Sequence, residues 1–115
     1  MSNYNRNSTR FYSKKQENDV AEVLGGRTTP NSGATQYIKG DVTAKHWLLE
    51  CKTCMTNKKS FSIRKEWLTG IKEEAKQQGK MNYAVAFNFG PGQENYYILT
   101  EKKFKELLEL EGNIE

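Results

Sequence analysis

The segment WLLECKT, residues 47–53, has the alternating pattern of a β-strand that carries charge on one face. Because side chains alternate across a strand, Glu50 and Lys52 point to one face and Cys51 points to the other. Just upstream, Asp41 follows Gly40 at the start of another extended segment. Charged groups on a sheet are costly to bury and add nothing to a core. Two carboxylates and an ammonium in this arrangement suit a divalent metal ion and the phosphate that it activates.

Three helices are predicted around this strand from apolar residues at helical spacing. Ser13 begins a capping box, with Gln16 three residues on, and is expected to start the first helix, which ends at about residue 24. The second helix is expected to begin at Ser60 or Ser62 and to end before Gly79. A third helix is expected after the cap residue Thr100, with three side chains turned inward: Phe104, Leu107 and Leu108.

Extended patterns predict the strands, and residues 27–39 between them are predicted as a loop. In 83–89 large apolar residues alternate with the smaller residues Ala84, Ala86 and Asn88, which is typical of a strand covered on both faces. The other predicted strands lie within 37–43, 47–53 and 94–99. The chain is therefore expected to form one small α/β (α+β) domain over 13–115. Its order is α-β-β-β-α-β-β-α, with a mixed central sheet of about five strands flanked by helices.

Length and charge limit the possible function. The 115 residues are enough for one small domain, and six Tyr, five Phe and two Trp argue against a disordered chain. The net charge of +4 favours polyanionic partners. Residues 1–15 carry four basic residues and no acid, and 1–12 are predicted to form a flexible basic arm. No apolar run reaches membrane-spanning length, so we expect no membrane partner and a cytoplasmic protein with reduced cysteines.

Glu17 is the third acidic residue that the pattern singles out. On a helical wheel it falls within the apolar stripe formed by Val20, Ala21 and Leu24. A carboxylate on the buried face of a short helix carries a desolvation penalty, which a metal ion or a basic partner would offset.

The chemistry that these residues favour is metal-assisted hydrolysis of a phosphodiester. Glu17, Asp41 and Glu50 offer hard oxygen ligands for Mg²⁺, and the backbone carbonyl of Cys51 offers one more. Lys52 is placed to orient the attacking water or to stabilise developing negative charge. Each residue also has a simpler interpretation: a solvated salt bridge for the E-x-K pair, a turn residue for Asp41, and an exposed position for Glu17.

The ordered set resembles the PD-(D/E)xK nuclease superfamily. Four elements carry the resemblance, namely Glu17, Ser32-Gly33-Ala34, Gly40-Asp41-Val42 and Glu50-Cys51-Lys52-Thr53. They are most similar to those of the small phage and archaeal Holliday-junction resolvases, and the similarity extends over roughly residues 13–90, with Trp67, Glu74-Ala75 and the strand at 84–89 in its second half. Gly40 departs from the proline in the superfamily name.

This resemblance implies a fold, an activity and partners. The fold would be restriction-endonuclease-like, with metal ligands at Glu17, Asp41 and Glu50 and a catalytic Lys52. The cofactor would be Mg²⁺, replaceable by Mn²⁺, with no organic cofactor. The protein would be a homodimer that makes paired nicks in branched DNA during recombination or repair. A phage origin is also implied, which would place the protein in the host cytoplasm.

DNA contacts are expected from basic residues and from one polar turn. Ser32 lies in a glycine-containing loop whose backbone amides can approach phosphate, although a plain turn explains it equally well. The predicted DNA-binding set is Arg6, Arg10, Lys14, Lys15, Arg27, Ser32, Lys39, Lys58 and Lys59.

Other motifs are weaker, and two other functions stay open. Cys51 and Cys54 are interpreted as unrelated thiols, because a zinc site needs further ligands and a redox C-x-x-C opens a helix. His46 is interpreted as a bystander, and Trp67 as a core or dimer residue. The alternative functions are another nuclease of the same superfamily, of nicking, mismatch or restriction type, and a non-catalytic nucleic-acid-binding module.

Overall fold

The structure, a computed structural model, describes residues 9–29 and 40–112. The described elements follow the predicted order α-β-β-β-α-β-β-α. They are α1 (Thr9–Leu24), β1 (Arg27–Thr28), β2 (Val42–Thr43), β3 (Trp47–Lys52), α2 (Lys65–Gln77), β4 (Asn82–Phe87), β5 (Tyr96–Ile98) and α3 (Glu101–Glu111).

The five strands form one mixed sheet in the order β1-β2-β3-β4-β5. Strands β3 and β4 run parallel, and the other neighbouring pairs are antiparallel. Helix α2 makes the crossover between the two parallel strands, which is the connection that parallel pairing requires. The prediction of a small α+β domain with a mixed sheet of this size is confirmed.

Each face of the sheet is covered by one helix. On one face, Val20 and Ala21 of α1 pack with the small residues Ala84 and Ala86 of β4, together with buried Val42 and Leu49. On the other face, Ile71 and Ala75 of α2 pack with Leu48 and Val85. Strand β4 is therefore covered on both faces, as its alternation of large and small residues predicted, and the alanines allow α1 to approach closely.

Two predicted helix starts are wrong. Helix α1 begins at Thr9, so Ser13 lies inside it, and residues 9–12 of the predicted flexible arm are helical. Helix α2 begins at Lys65, after an N-cap residue that makes no side-chain capping bond. The predicted caps Ser60 and Ser62 precede it because Phe61 between them packs on the sheet, with its ring centroid 5.5 Å from that of Phe87.

The end of α2 and the start of α3 match the sequence prediction. Gly79 follows the C-cap of α2 with φ of 70°. Thr100 caps α3, and its side chain accepts a hydrogen bond from Lys103 N. However, α3 contains no buried residue, and Phe104 and Leu107 are 56% and 40% exposed. The prediction that they turn inward is wrong for a single chain.

The loop prediction over 27–39 also needs a correction. Arg27–Thr28 form β1, which pairs with β2 at the edge of the sheet. The remainder of that segment lies outside the described residues, as does the predicted strand start at 37–38. Within the described residues, no helix combines the length and the hydropathy of a membrane span.

Candidate active site

The candidate site is built around the end of β3, at the carboxyl end of the parallel pair. Glu50 and Lys52 alternate with the buried side chains of β3, so they share the face of Leu48, which α2 covers. Asp41 lies directly before β2, beside the same part of β3. Its backbone N–H donates to Leu49 O at 2.8 Å, and its Oδ2 accepts from Cys51 N at 2.8 Å.

A glycine makes the placement of Asp41 possible. Gly40 has φ of 78°, in the left-handed region, and a Cβ there would lie 2.9 Å from Leu48 Cγ. Proline cannot adopt this φ, because its ring fixes φ near −65°. The Gly40 departure from the superfamily pattern therefore has a structural cause in this chain.

Both the side chain and the backbone carbonyl of Lys52 are held by contacts with other parts of the chain. Its Nζ lies 3.1 Å from Glu50 Oε2 and 4.8 Å from the centroid of the Trp67 ring. Its backbone carbonyl accepts a hydrogen bond from Gln16 Nε2 at 2.8 Å. The salt bridge was one interpretation of the E-x-K pair, and it is formed. The contacts from Trp67 and Gln16 were not predicted, because only the three-dimensional structure brings their helices to this strand.

Gln16 belongs to a buried network of amides behind Lys52. Its side chain is 3% exposed, and Nε2 also donates to Asn95 Oδ1 at 3.2 Å. Asn88 Nδ2 donates to the same Asn95 oxygen, and Thr53 Oγ1 donates to Asn88 Oδ1. The network fixes the backbone where β3 and β4 end, so Thr53 does more than end a strand.

Glu17 is half-buried on α1 and lies close enough to the other acids to feel their charge. Its pKa is raised to about 7, chiefly by burial and then by the charge of Asp41, with a smaller rise from Glu50, while the charge of Lys14 opposes the shift. Glu17 is thus partly buried, as the apolar stripe predicted, and it belongs to the same electrostatic group as Asp41 and Glu50.

The other two acids are shifted in the same direction. Burial raises the pKa of Asp41, and the Cys51 N–H bond and the charge of Lys52 offset part of the rise. Burial, followed by the charge of Asp41, raises the pKa of Glu50, and Lys52 again opposes the shift. One ammonium therefore does not compensate the negative charge gathered here.

A fourth carboxylate near the site was missed as a site residue. Glu74 lies on α2, and its negative charge also raises the pKa of Glu50. This effect is smaller than those of burial and Asp41, which raise the pKa, and of Lys52, which lowers it. The sequence places Glu74 seven residues after Trp67, which is two helical turns, so both lie on the side of α2 that meets the end of β3.

The thiols follow the simpler interpretation. Cys51 and Cys54 are both free, and burial together with the neighbouring carboxylates raises the pKa of the Cys51 thiol. Such a thiol stays protonated at neutral pH and is a poor metal ligand or nucleophile.

The donor chemistry fits a hard divalent cation, because the acids supply oxygen ligands and carry excess negative charge. However, in the described ranges 9–29 and 40–112, no group of three or more His, Cys, Asp or Glu side chains forms a site that could hold a metal ion as it stands. Glu17 comes from the layer of α1 and Glu50 faces that of α2, so the acids approach from different sides. The metal interpretation therefore depends on donor type and electrostatics.

The predicted DNA contacts are only partly placed. Lys14 and Lys15 are exposed on α1, and Lys15 Nζ pairs with Asp19 Oδ2 at 3.2 Å. Lys58 and Lys59 are exposed in the segment between β3 and α2. Arg27 is exposed at the sheet edge and lines a cleft with two further lysines, Lys45 and Lys80. The remaining predicted contacts lie outside the described side chains: Arg6, Arg10, Ser32 and Lys39.

Comparison with known proteins adds no family assignment. No protein-family model, no curated protein and no solved structure matches this chain. The resemblance to the PD-(D/E)xK nucleases therefore stays a prediction from the residues quoted above.

Proposed function

We propose that this protein is a metal-dependent DNA endonuclease that nicks branched DNA, in the manner of the small Holliday-junction resolvases. One observation carries the proposal. Three partly buried carboxylates, Glu17, Asp41 and Glu50, are electrostatically coupled beside an ammonium, and each has a raised pKa. Keeping such charges together costs stability, which is typical of a functional site.

The chain's own groups have separable roles in this proposal. Asp41 has one oxygen fixed by Cys51 N–H, which sets its side-chain orientation and leaves Oδ1 as a ligand. Glu50 and Glu17 supply further ligand oxygens, with the Cys51 carbonyl as an additional donor. Mg²⁺ bound there would lower the pKa of a water molecule and neutralise charge on the phosphate. Lys52 Nζ then orients the water or stabilises the charged phosphate oxygens.

The proposed substrate follows from charge and symmetry. The net charge of +4, with basic residues gathered in 1–15 and around β3, supports a phosphate-backbone partner. A four-way junction has two-fold symmetry, so an enzyme that cuts opposed strands is expected to be a two-fold homodimer. A nicking, mismatch or restriction-type enzyme would use the same chemistry and differ in the DNA shape that it binds.

The decisive experiment uses a panel of labelled DNAs: linear, nicked, flapped and four-way. We expect Mg²⁺-dependent nicking of the four-way junction, none in EDTA, and a loss of at least about a hundredfold in rate for Asp41→Asn and Lys52→Ala. Lys105→Ala, an exposed lysine on α3, is the matched control and should cleave like wild type. Undiminished cleavage by Asp41→Asn would refute the catalytic assignment, and equal cleavage of linear DNA would refute the resolvase assignment.

A second candidate is a non-catalytic DNA-binding module on the same scaffold. The observation that favours it is that the described residues form no ready metal site. It predicts junction binding that is equal in Mg²⁺, Mn²⁺ and EDTA, with no cleavage in any of them. The same panel, read by gel retardation as well as by cleavage, separates the two candidates.

A further inference from the structure

The ring of Trp67 lies against the proposed catalytic ammonium of Lys52. Lys52 Nζ lies 4.8 Å from the centroid of its ring, within the distance of about 6 Å at which a cation is attracted by the ring quadrupole. The side chain of Lys52 is 30% exposed, so the contact is partly desolvated. Partial desolvation strengthens a cation–π contact, because water competes less for the ammonium.

The Trp67 ring is itself held in place. Trp67 lies in the first turn of α2, where its backbone N–H donates to Arg64 O at 3.0 Å. The Phe61 ring packs against it at 6.0 Å between centroids, and Phe61 in turn contacts Phe87 and Phe89 on the sheet. Trp67 also packs against the buried cluster that includes Ile71. The ring is therefore a fixed surface that anchors to both the helix and the sheet.

Glu50 and Trp67 differ in how far each leaves the positive charge of Lys52 able to interact with a phosphate. Glu50 Oε2, at 3.1 Å, provides a full negative charge and occupies an N–H donor. An aromatic face attracts the ammonium without a formal counter-charge, so the positive charge stays available to a phosphate. In the proposed function Glu50 also serves as a metal ligand, which weakens its hold on Lys52. The Trp67 ring, which is not a metal ligand, would keep its contact with Lys52 when the metal ion binds.

We propose that Trp67 is a positioning residue that holds the Lys52 ammonium over its indole ring, oriented for the phosphate. This inference rests on the proposed nuclease function. It predicts that Trp67 acts on the rate of the chemical step through Lys52 and contributes little to DNA affinity.

The test compares Trp67→Phe and Trp67→Leu with wild type on the four-way junction. The phenyl ring keeps a weaker quadrupole, and leucine keeps only the apolar packing. We expect kcat to fall about threefold in Trp67→Phe and about tenfold in Trp67→Leu, with KM within about twofold of wild type. Trp67→Leu combined with Lys52→Ala should be no slower than Lys52→Ala alone, because the lysine through which the ring acts is already absent.

A matched control exists in the same chain. Trp47, at the start of β3, lies under Lys103 Nζ at 5.7 Å from its ring centroid. Trp47→Leu removes a comparable tryptophan–lysine contact away from Lys52. Assayed below the unfolding temperature of each variant, it should keep wild-type kcat.

A spectroscopic measurement checks the contact without any cleavage. In protein labelled with ¹³C-lysine, the ε-methylene protons of Lys52 should be shifted upfield by the ring current, and Trp67→Leu should abolish the shift. Lys52→Ala assigns the signal.

Each outcome discriminates. If wild type cleaves and Trp67→Leu has unchanged kcat, the positioning role is overturned while the nuclease function stands. A raised KM with unchanged kcat would make Trp67 a DNA contact and overturn it as well. If wild type cleaves no DNA, the proposed function fails and the positioning role fails with it. An upfield Lys52 signal would still show that the contact forms.

Discussion

Glu17 combines burial on a helix with repulsion from two neighbouring acids, and this makes the stability of the protein depend on pH. Its pKa is raised from 4.5 to about 7, so between these values the folded protein binds a proton that the unfolded chain has released. The contribution of Glu17 to stability is therefore fully present below pH 4.5 and is lost as pH rises from 4.5 through about 7. At pH 8 the ionised carboxylate of Glu17 opposes folding.

The variant Glu17→Gln should remove this contribution. In EDTA at about pH 4, below the unfolded pKa of 4.5, its free energy of unfolding should be close to that of wild type, and at pH 8 it should be higher by about 1–2 kcal/mol, a figure reduced for the exposure of Glu17. Urea unfolding at the two pH values measures the difference. Glu22→Gln, an exposed carboxylate on the same helix, should leave the pH dependence as in wild type. A constant difference between Glu17→Gln and wild type at both values would contradict the prediction.

Gly40 is the other single residue on which the site depends. A Cβ at Gly40 would clash with the Leu48 side chain, whereas a Cβ at Gly79, which has φ of 70°, would have no atom within 4 Å. Both glycines have left-handed φ, so alanine adds backbone strain at both and a clash at Gly40 only. We expect Gly40→Ala to destabilise by about 2–4 kcal/mol and Gly79→Ala by about 1 kcal/mol. If chemical denaturation showed equal losses of stability for the two variants, the Leu48 side chain would have moved away from the new Cβ at no cost in free energy.

Among the helices and strands, the sequence predicted those whose position depends on local periodicity or on a capping residue. Apolar alternation located β3 and β4, and the cap at Thr100 located the start of α3. The starts of α1 and α2 were missed, because a capping box is only a local preference and Phe61 docks on distant aromatic rings. Strand β1 was missed because its two residues have no periodicity to detect.

In the candidate site too, features that depend on local spacing were predicted, and contacts that depend on the tertiary fold were not. Alternation predicted the shared face of Glu50 and Lys52, and helical spacing predicted the partly buried position of Glu17. The positioning contacts were not predictable. Gln16 and Lys52 are separated by 36 positions, and their contact depends on how α1 crosses the sheet. Trp67 was interpreted as a core or dimer residue because nothing in its local sequence indicates a lysine on a neighbouring strand.

Helix α3 has no buried residue in the single chain, and its exposed apolar side chains are relevant to the predicted homodimer. Helix α3 has 11 residues and none is buried, although Phe104, Leu107 and Leu110 are 56%, 40% and 84% exposed. Isolated helices shorter than about 12–15 residues are marginal in water, so α3 needs an apolar partner surface. A second copy of the chain supplies one by symmetry, and a resolvase needs two active sites.

We therefore expect sedimentation equilibrium to show a dimer at micromolar concentration. The double variant Phe104→Glu and Leu107→Glu should raise the dissociation constant of the dimer at least about tenfold, because the new charges would be buried without partners at an apolar interface. Val23→Glu is the control, because Val23 is 72% exposed on α1. It should leave the dimer intact. A dimer unaffected by the α3 substitutions would place the interface elsewhere. A wild-type monomer that still makes paired nicks would separate junction cleavage from stable dimerisation, because two chains would then have to meet on the DNA itself.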